Sequence, residues 1–291
     1  MPQTAGILTE NIYFGECPRW HSGRLWFSDF FSHSVKSISP SGDLRTEFEI
    51  DDQPSGLGWM PDGSMLIVSM QKQQLLRRAP AGIMSLHAQL PSIGFRANDM
   101  VVDASGTALV GHFGFDLEAE MIARGIPSVL EDHPTAQILR VSPDGEIQVA
   151  ADDMHFPNGS VITPDGKTLI VGETLAGALT AFEIAPDGTL RNRRLWASTW
   201  PRVPDGIALN ADGNIWIANP LAPECVLLEE GGRVLDVIAT DQLCYACMLG
   251  GDDGQTLFIC TAPTSLPPEP GAPPQGKILT AHVEVPHAGL P

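Results

Sequence analysis

Six short copies of one pattern constrain this chain more than any other feature. Each is an apolar strand, a tight turn ending in glycine, and a second apolar strand. The turn glycines are Gly23, Gly63, Gly106, Gly166, Gly213 and Gly254, spaced 40, 43, 60, 47 and 41 residues apart. The runs after the turns (LWFSD, MLIVS, LIVG, IWIA, LFIC) are short and rich in β-branched and aromatic residues. A strand-turn-strand repeat of this period predicts an all-β, six-bladed β-propeller, one blade per repeat. Length alone would suggest two domains for 291 residues. The repeat uses nearly the whole chain, so a single domain over 1–291 is expected, its last blade closed by pairing of the N-terminal strand around Gly6–Ile12 with the C-terminal strands. The 60-residue interval predicts an insertion at about 112–136 with a helix-favouring stretch over 116–131, of the kind that forms lids and binding loops or plain surface loops. TSLPPEPGAPPQ, 264–275, reads as a rim loop.

A net charge of −18 repels phosphate backbones and excludes nucleic acid as an expected partner. No apolar run is long enough to span a membrane, and the first residues lack a basic segment followed by an apolar one, so no membrane association is expected. Five cysteines, an odd number, suit reduced thiols and a cytoplasmic setting. Cys244 and Cys247 lack a second pair or a nearby histidine and read as small core residues rather than a zinc site.

In a propeller the innermost strand of every blade faces the central channel, so residues distant in sequence converge there. Counting back seven or eight residues from each turn glycine gives Glu16, Gly56, Asn98 with Asp99, Asn158, Asp205, and Ala246 with Cys247. Glu16, Asn158 and Asp205 are two carboxylates and an amide, hard oxygen donors suited to one divalent cation. The competing reading is that Asn158-Gly159 and Asp205-Gly206 only form turns entering strands. Arg96, two residues before Asn98, can clamp an oxyanion or form a salt bridge to a surface acid. His112 can move a proton or serve as a wall residue. Phe95, Phe113, Phe115, Tyr245 and Trp200 stand as channel-mouth aromatics or as ordinary packing.

The ordered set GECPRW, FRANDMVVD, FPNGSVITPDG, VPDGIALNADGNIWIA and ACMLGGDDGQTLF resembles the SMP-30/gluconolactonase/luciferin-regenerating-enzyme family over essentially the whole chain. The resemblance implies a six-bladed propeller with one divalent cation in the channel, Ca²⁺ first, with Mg²⁺, Mn²⁺, Zn²⁺ or Fe²⁺ as alternatives. It implies Glu16, Asn158 and Asp205 as metal ligands and Arg96 and Asn98 as substrate contacts, Asn98 also approaching the metal. Asp116 falls where a sugar-lactonase relative carries a substrate-binding acid, and His112 replaces a small or polar residue beside the substrate. The implied activity is hydrolysis of a small-molecule lactone to a hydroxy acid by a monomer or weak homo-oligomer. Asp205 is the expected general base, with Asp99 or His112 as substitutes. Alternatives are a metal-dependent hydrolase of phosphotriesters or other esters, and a non-catalytic metal-stabilised ligand-binding propeller.

Overall fold

The computed structural model describes residues 3–92 and 94–291. They form six antiparallel sheets arranged as the blades of a propeller. Blades 1 to 4 are consecutive four-stranded meanders whose innermost strands are Gly15–His21, Pro54–Trp59, Ala97–Val102 and Pro157–Ile162. Blade 5 starts at Ile207–Leu209 and gains a short parallel strand, Gln3–Thr4, at its outer edge. Blade 6 starts at Leu243–Gly250, and its outermost strand is Gly6–Ile12, paired antiparallel with Gly276–His282. The two ends of the chain therefore share one sheet, which closes the circle and leaves no open edge between first and last blades. Ile12 is fully buried among Leu25, Phe27, Phe258 and Ile278, joining blades 1 and 6. Just beyond it the buried Asp29 carboxylate accepts the backbone N–H groups of Tyr13 (3.1 Å) and Phe14 (2.9 Å) and pairs with Lys36 at 2.8 Å.

The core lies between blades, where alternate residues of neighbouring sheets interdigitate, as Leu66, Val68, Met100 and Val110 do between blades 2 and 3. Cys244 and Cys247 sit in the layer between blades 5 and 6 as free, buried thiols.

The chain leaves the six-fold pattern between the second and third strands of blade 3. After Ala108–His112 it turns at Gly114 and forms two helices, α1 (Leu117–Arg124) and α2 (Ile126–Glu131), before rejoining the sheet at Ala136–Val141. The Asp116 carboxylate caps α1 by accepting the Ala119 N–H at 3.0 Å. Among the described residues no helix is long and apolar enough to cross a membrane. At the other end of the ring the C-terminal tail lies across blades 4 and 5, with Leu290 bridging Ile162 and His287 bridging Asn210.

Candidate active site

The innermost strand of almost every blade is interrupted near its start by a β-bulge. The register shifts between Glu16 and Arg19, Pro54 and Leu57, Ala97 and Met100, Pro157 and Ser160, and Cys244 and Ala246. A bulge re-aims a side chain out of the sheet alternation, and here it delivers Asn98, Asn158 and Tyr245 to the same end of the channel. Blade 5 places Asp205 just before its first strand. Backbone bonds tie these positions from blade to blade: Gly159 N–H donates to the Asp205 carbonyl (3.2 Å), and Gly206 N–H to the Tyr245 carbonyl (2.8 Å). So close an approach explains the glycines. A Cβ on Gly159 would lie 2.5 Å from Ile207 N, and one on Gly206 2.6 Å from Ala246 Cα. Asn158-Gly159 and Asp205-Gly206 are thus sites of inner-strand contact rather than turns.

Blade 1 departs from this register. Its bulge contains Cys17 and Pro18, so Glu16 lies one residue before the place that Asn98 and Asn158 hold. Cys17 adopts a left-handed conformation (φ 50°), its thiol lies 3.6 Å from Ser55 Oγ in blade 2, and its N–H donates to Glu16 Oε2 at 3.1 Å. The longer glutamate side chain reaches the same cavity from one position back. Blades 2 and 6 also differ from expectation. The blade 2 bulge holds Ser55 together with Gly56, the close-contact residue, and the blade 6 bulge holds Tyr245, with Ala246 and Cys247 as core residues beside it.

Glu16, Asn98, Asn158, Asp205, Arg96 and Tyr245 all line one cavity of about 380 Å³ at the mouth of the channel. Glu16, Asn158 and Asp205 are each 8% exposed. Burial drives the Glu16 carboxyl well above its ordinary pKa, and the charges of Asp205 and Asp99 add to the rise. Burial likewise raises Asp205, with Asp99 adding to it and a hydrogen bond from the Asn158 amide opposing it. Two carboxyls crowded in a dry site favour neutral forms unless a cation compensates them. Their oxygens, with the Asn158 carbonyl, could hold a hard divalent ion. Among the described residues no three His, Cys, Asp or Glu side chains gather closely enough to hold a metal by themselves.

Asp99 is not a free base. Its Oδ1 pairs with the buried Arg19 guanidinium at 2.7 Å. Arg19 also donates to the carbonyls of Leu57 (2.9 Å), Pro18 (2.8 Å) and Met100 (2.6 Å), so it bridges the inner strands of blades 1, 2 and 3 beside the carboxyl cluster. Arg96, by contrast, has no carboxylate partner among the described residues. Its guanidinium lies over the Phe95 ring at 4.8 Å and is available to the cavity. The Asn98 amide is held by the Pro157 carbonyl at 3.4 Å.

His112 and Asp116 do not line this cavity. Asp116 caps α1 beside a separate surface hollow with Glu120, Arg124 and His133, because the turn at Gly114 carries the chain outward. His112 is buried behind Gly94, with Nε2 lacking a hydrogen-bond partner. Burial lowers its pKa from 6.5 to about 4. The unfolded chain takes up that proton near 6.5, so the neutral ring's contribution to stability is complete above that pH and is lost as pH falls toward 4. The loss is on the order of 3 kcal/mol. His112→Leu is expected to reduce the fall in urea midpoint between pH 7 and about pH 4.5; an unchanged fall would assign the acid sensitivity elsewhere.

Sequence reasoning also missed most of the cavity's aromatic wall. Phe14, Phe30, Phe31 and Phe156 line it, whereas Phe95, Phe115 and Trp200 do not. Trp200 is half exposed and packs its indole over Gly177. Tyr245 was legible as an aromatic, and its phenol adds a polar group: burial, then the charge of Asp205, raises its pKa, so it stays protonated and can donate a hydrogen bond.

The family model described as SMP-30/Gluconolactonase/LRE-like region matches residues 14–263. The chain is a member of that family. Among SMP-30/gluconolactonase relatives, 6-deoxy-6-sulfogluconolactonase of Pseudomonas putida is 24% identical, over 98% of this chain and 96% of its own. Regucalcin of Homo sapiens is 25% identical over 90% and 88% of the two chains. The crystal structure of the calcium-binding protein regucalcin from Agrobacterium tumefaciens superposes with a TM-score of 0.82, at 22% identity and over 100% and 97% of the chains, a likeness of fold.

Proposed function

We propose that this chain is a divalent-metal-dependent lactonase, opening a small lactone to a hydroxy acid. The observation that supports this most is the crowding of Glu16 and Asp205, both buried and both shifted toward neutrality, beside the Asn158 amide at the base of a cavity. Such a pair is expensive without a cation and reasonable with one. Membership of a family with relatives named as lactonases gives the reaction class, and the relatives named regucalcin, one described as calcium-binding, put Ca²⁺ first among candidate ions.

Glu16, Asn158 and Asp205 would hold the cation. When bound, it supplies Lewis-acid polarisation of an ester carbonyl. The remaining work falls to this chain's side chains. Arg96 and Asn98 face the same space and orient the lactone by its oxygens. The protonated Tyr245 phenol donates a hydrogen bond toward the oxygen on which negative charge develops. Asp205 accepts a proton from the water that adds to the carbonyl carbon. The ring C–O bond then breaks, and that proton passes to the departing ring oxygen, which becomes the hydroxyl of the product. Asp99 is engaged by Arg19 and His112 lies outside the cavity, so Asp205 is the better base of the three candidates. We further propose that residues 1–291 act as one unit, the insertion at 112–136 serving the same cavity, with Glu16, Asn158 and Asp205 as the metal set.

The test is acid release from a lactone panel, with a paraoxon-type triester beside it. Activity is expected with Ca²⁺, to fall at least about a hundredfold in EDTA, and to return on adding back the ion. EDTA-resistant turnover sinks the metal-dependent mechanism; turnover of the triester alone moves the protein to the other ester class.

A further inference from the structure

We infer that the lactone opened here carries an apolar substituent, alkyl or aryl, lodged beneath the α1–α2 insertion. This rests on the lactonase reading and narrows it to a substrate class. Two apolar clusters face the polar base of the cavity. Val129, Phe156 and Leu175 form one with Phe113, Leu117 and Met121. Phe14 and Tyr245 form the other with Phe30, Phe31 and Leu243, on the side of blades 1 and 6. The insertion is built for this arrangement. Its charged residues engage one another away from the cavity, Arg124 pairing with Glu120 at 2.9 Å and donating to the carbonyls of Ser128 and Asp132. Leu117, Met121, Ile126, Val129 and Leu130 turn toward the cavity, with Glu118 as the one charged side chain of the helices that reaches its lining.

Several polar groups of the lining are already partly engaged with protein. Gln71 donates to Gln53 at 2.9 Å, and the Thr174 hydroxyl donates to the Pro204 carbonyl at 2.8 Å while accepting from Asn158 at 3.3 Å. Arg96, Asn98 and Tyr245 are left beside the metal set to orient one ester group, with Glu118, Thr264 and Ser265 elsewhere in a lining dominated by Phe, Leu, Ile, Val and Met. A sugar lactone presents a hydroxyl at nearly every ring carbon, and each hydroxyl set against Phe or Leu loses its water without gaining a partner. An alkyl or aryl group meets no such penalty and gains by leaving water. The cavity, about 380 Å³, lies in the range that accommodates drug-sized ligands.

The experiment compares kcat/KM of the Ca²⁺-loaded full chain for δ-decalactone, unsubstituted δ-valerolactone and glucono-δ-lactone, each corrected for spontaneous opening. We expect δ-decalactone to exceed δ-valerolactone by about tenfold or more, as its added methylenes are buried, with glucono-δ-lactone the poorest. Met121→Gln and Leu130→Gln, checked for native melting, should each lower the decalactone-to-valerolactone ratio about tenfold, mainly through KM. Preference for glucono-δ-lactone, or an unchanged ratio in both folded variants, overturns the apolar-substituent inference and leaves the lactonase reading standing. If no lactone turns over, the lactonase reading fails, and calorimetric binding of the two substituted lactones decides the pocket: tighter δ-decalactone sustains it, tighter glucono-δ-lactone overturns it.

Discussion

Asp205→Ala is expected to reduce lactone turnover by about 10³–10⁴-fold and to weaken divalent-cation binding in the same preparation. The carboxylate has two assignments in the proposed mechanism, as one of the residues that would hold the cation and as the group that accepts the water's proton, and no neighbour can replace either. Glu16 comes from blade 1 rather than blade 5, and Asp99 is engaged by Arg19. The fold should tolerate the change, because the blade contacts at this point are made by the Asp205 main chain: its carbonyl accepts from Gly159 and its N–H donates to Ala218. Removing a buried, pKa-raised carboxyl also removes an unfavourable desolvation cost. Steady-state rates, calorimetric Ca²⁺ affinity and a thermal melt on one sample separate these effects. Near-normal turnover in a metal-verified sample would overturn the assignment.

Removal of the first twelve residues should cost more than about 5 kcal/mol of folding stability. Truncating fully buried Ile12 to alanine would by itself cost about 2–5 kcal/mol, and the deletion also strips blade 6 of its outermost strand and exposes the ladder of Gly276–His282. Urea unfolding of the truncated and full chains measures the difference. A melting temperature within about 2 °C of the full chain would mean that the circle is held by inner-strand packing alone.

The architecture was largely readable because a propeller repeats its signals. The Asp-Gly and Ser-Gly turns, the runs after them and the 60-residue interval each mark a real element, and Gly6–Ile12 pairs in the expected blade. The site was less legible, for reasons that lie in particular residues. Counting from turn glycines assumes equal hairpins, yet blade 1 turns on Ser22-Gly23 alone, His21 pairing directly with Arg24, whereas blade 2 needs five residues between Trp59 and Met65. The count therefore aligned Glu16 with Asn158 and misjudged the residues that blades 2 and 6 present. His112 and Asp116 were placed by sequence proximity and resemblance, and the turn at Gly114 removes that proximity. Phe14, Phe30 and Phe31 come to the cavity through the packing of blade 1 on blade 6, a relation between distant segments that no local pattern announces.

The two helices of the insertion, which supply much of the cavity's apolar lining, bear on traffic to the site. A propeller with an open bore could admit a molecule on one side and discharge it on the other. Here Leu117, Met121, Ile126, Val129 and Leu130 line the cavity, so under the lactonase reading arrival and departure both run beside α1 and α2. Under that reading a newly made acid leaves beside the same two helices that received its lactone, a place where a loop can gate turnover.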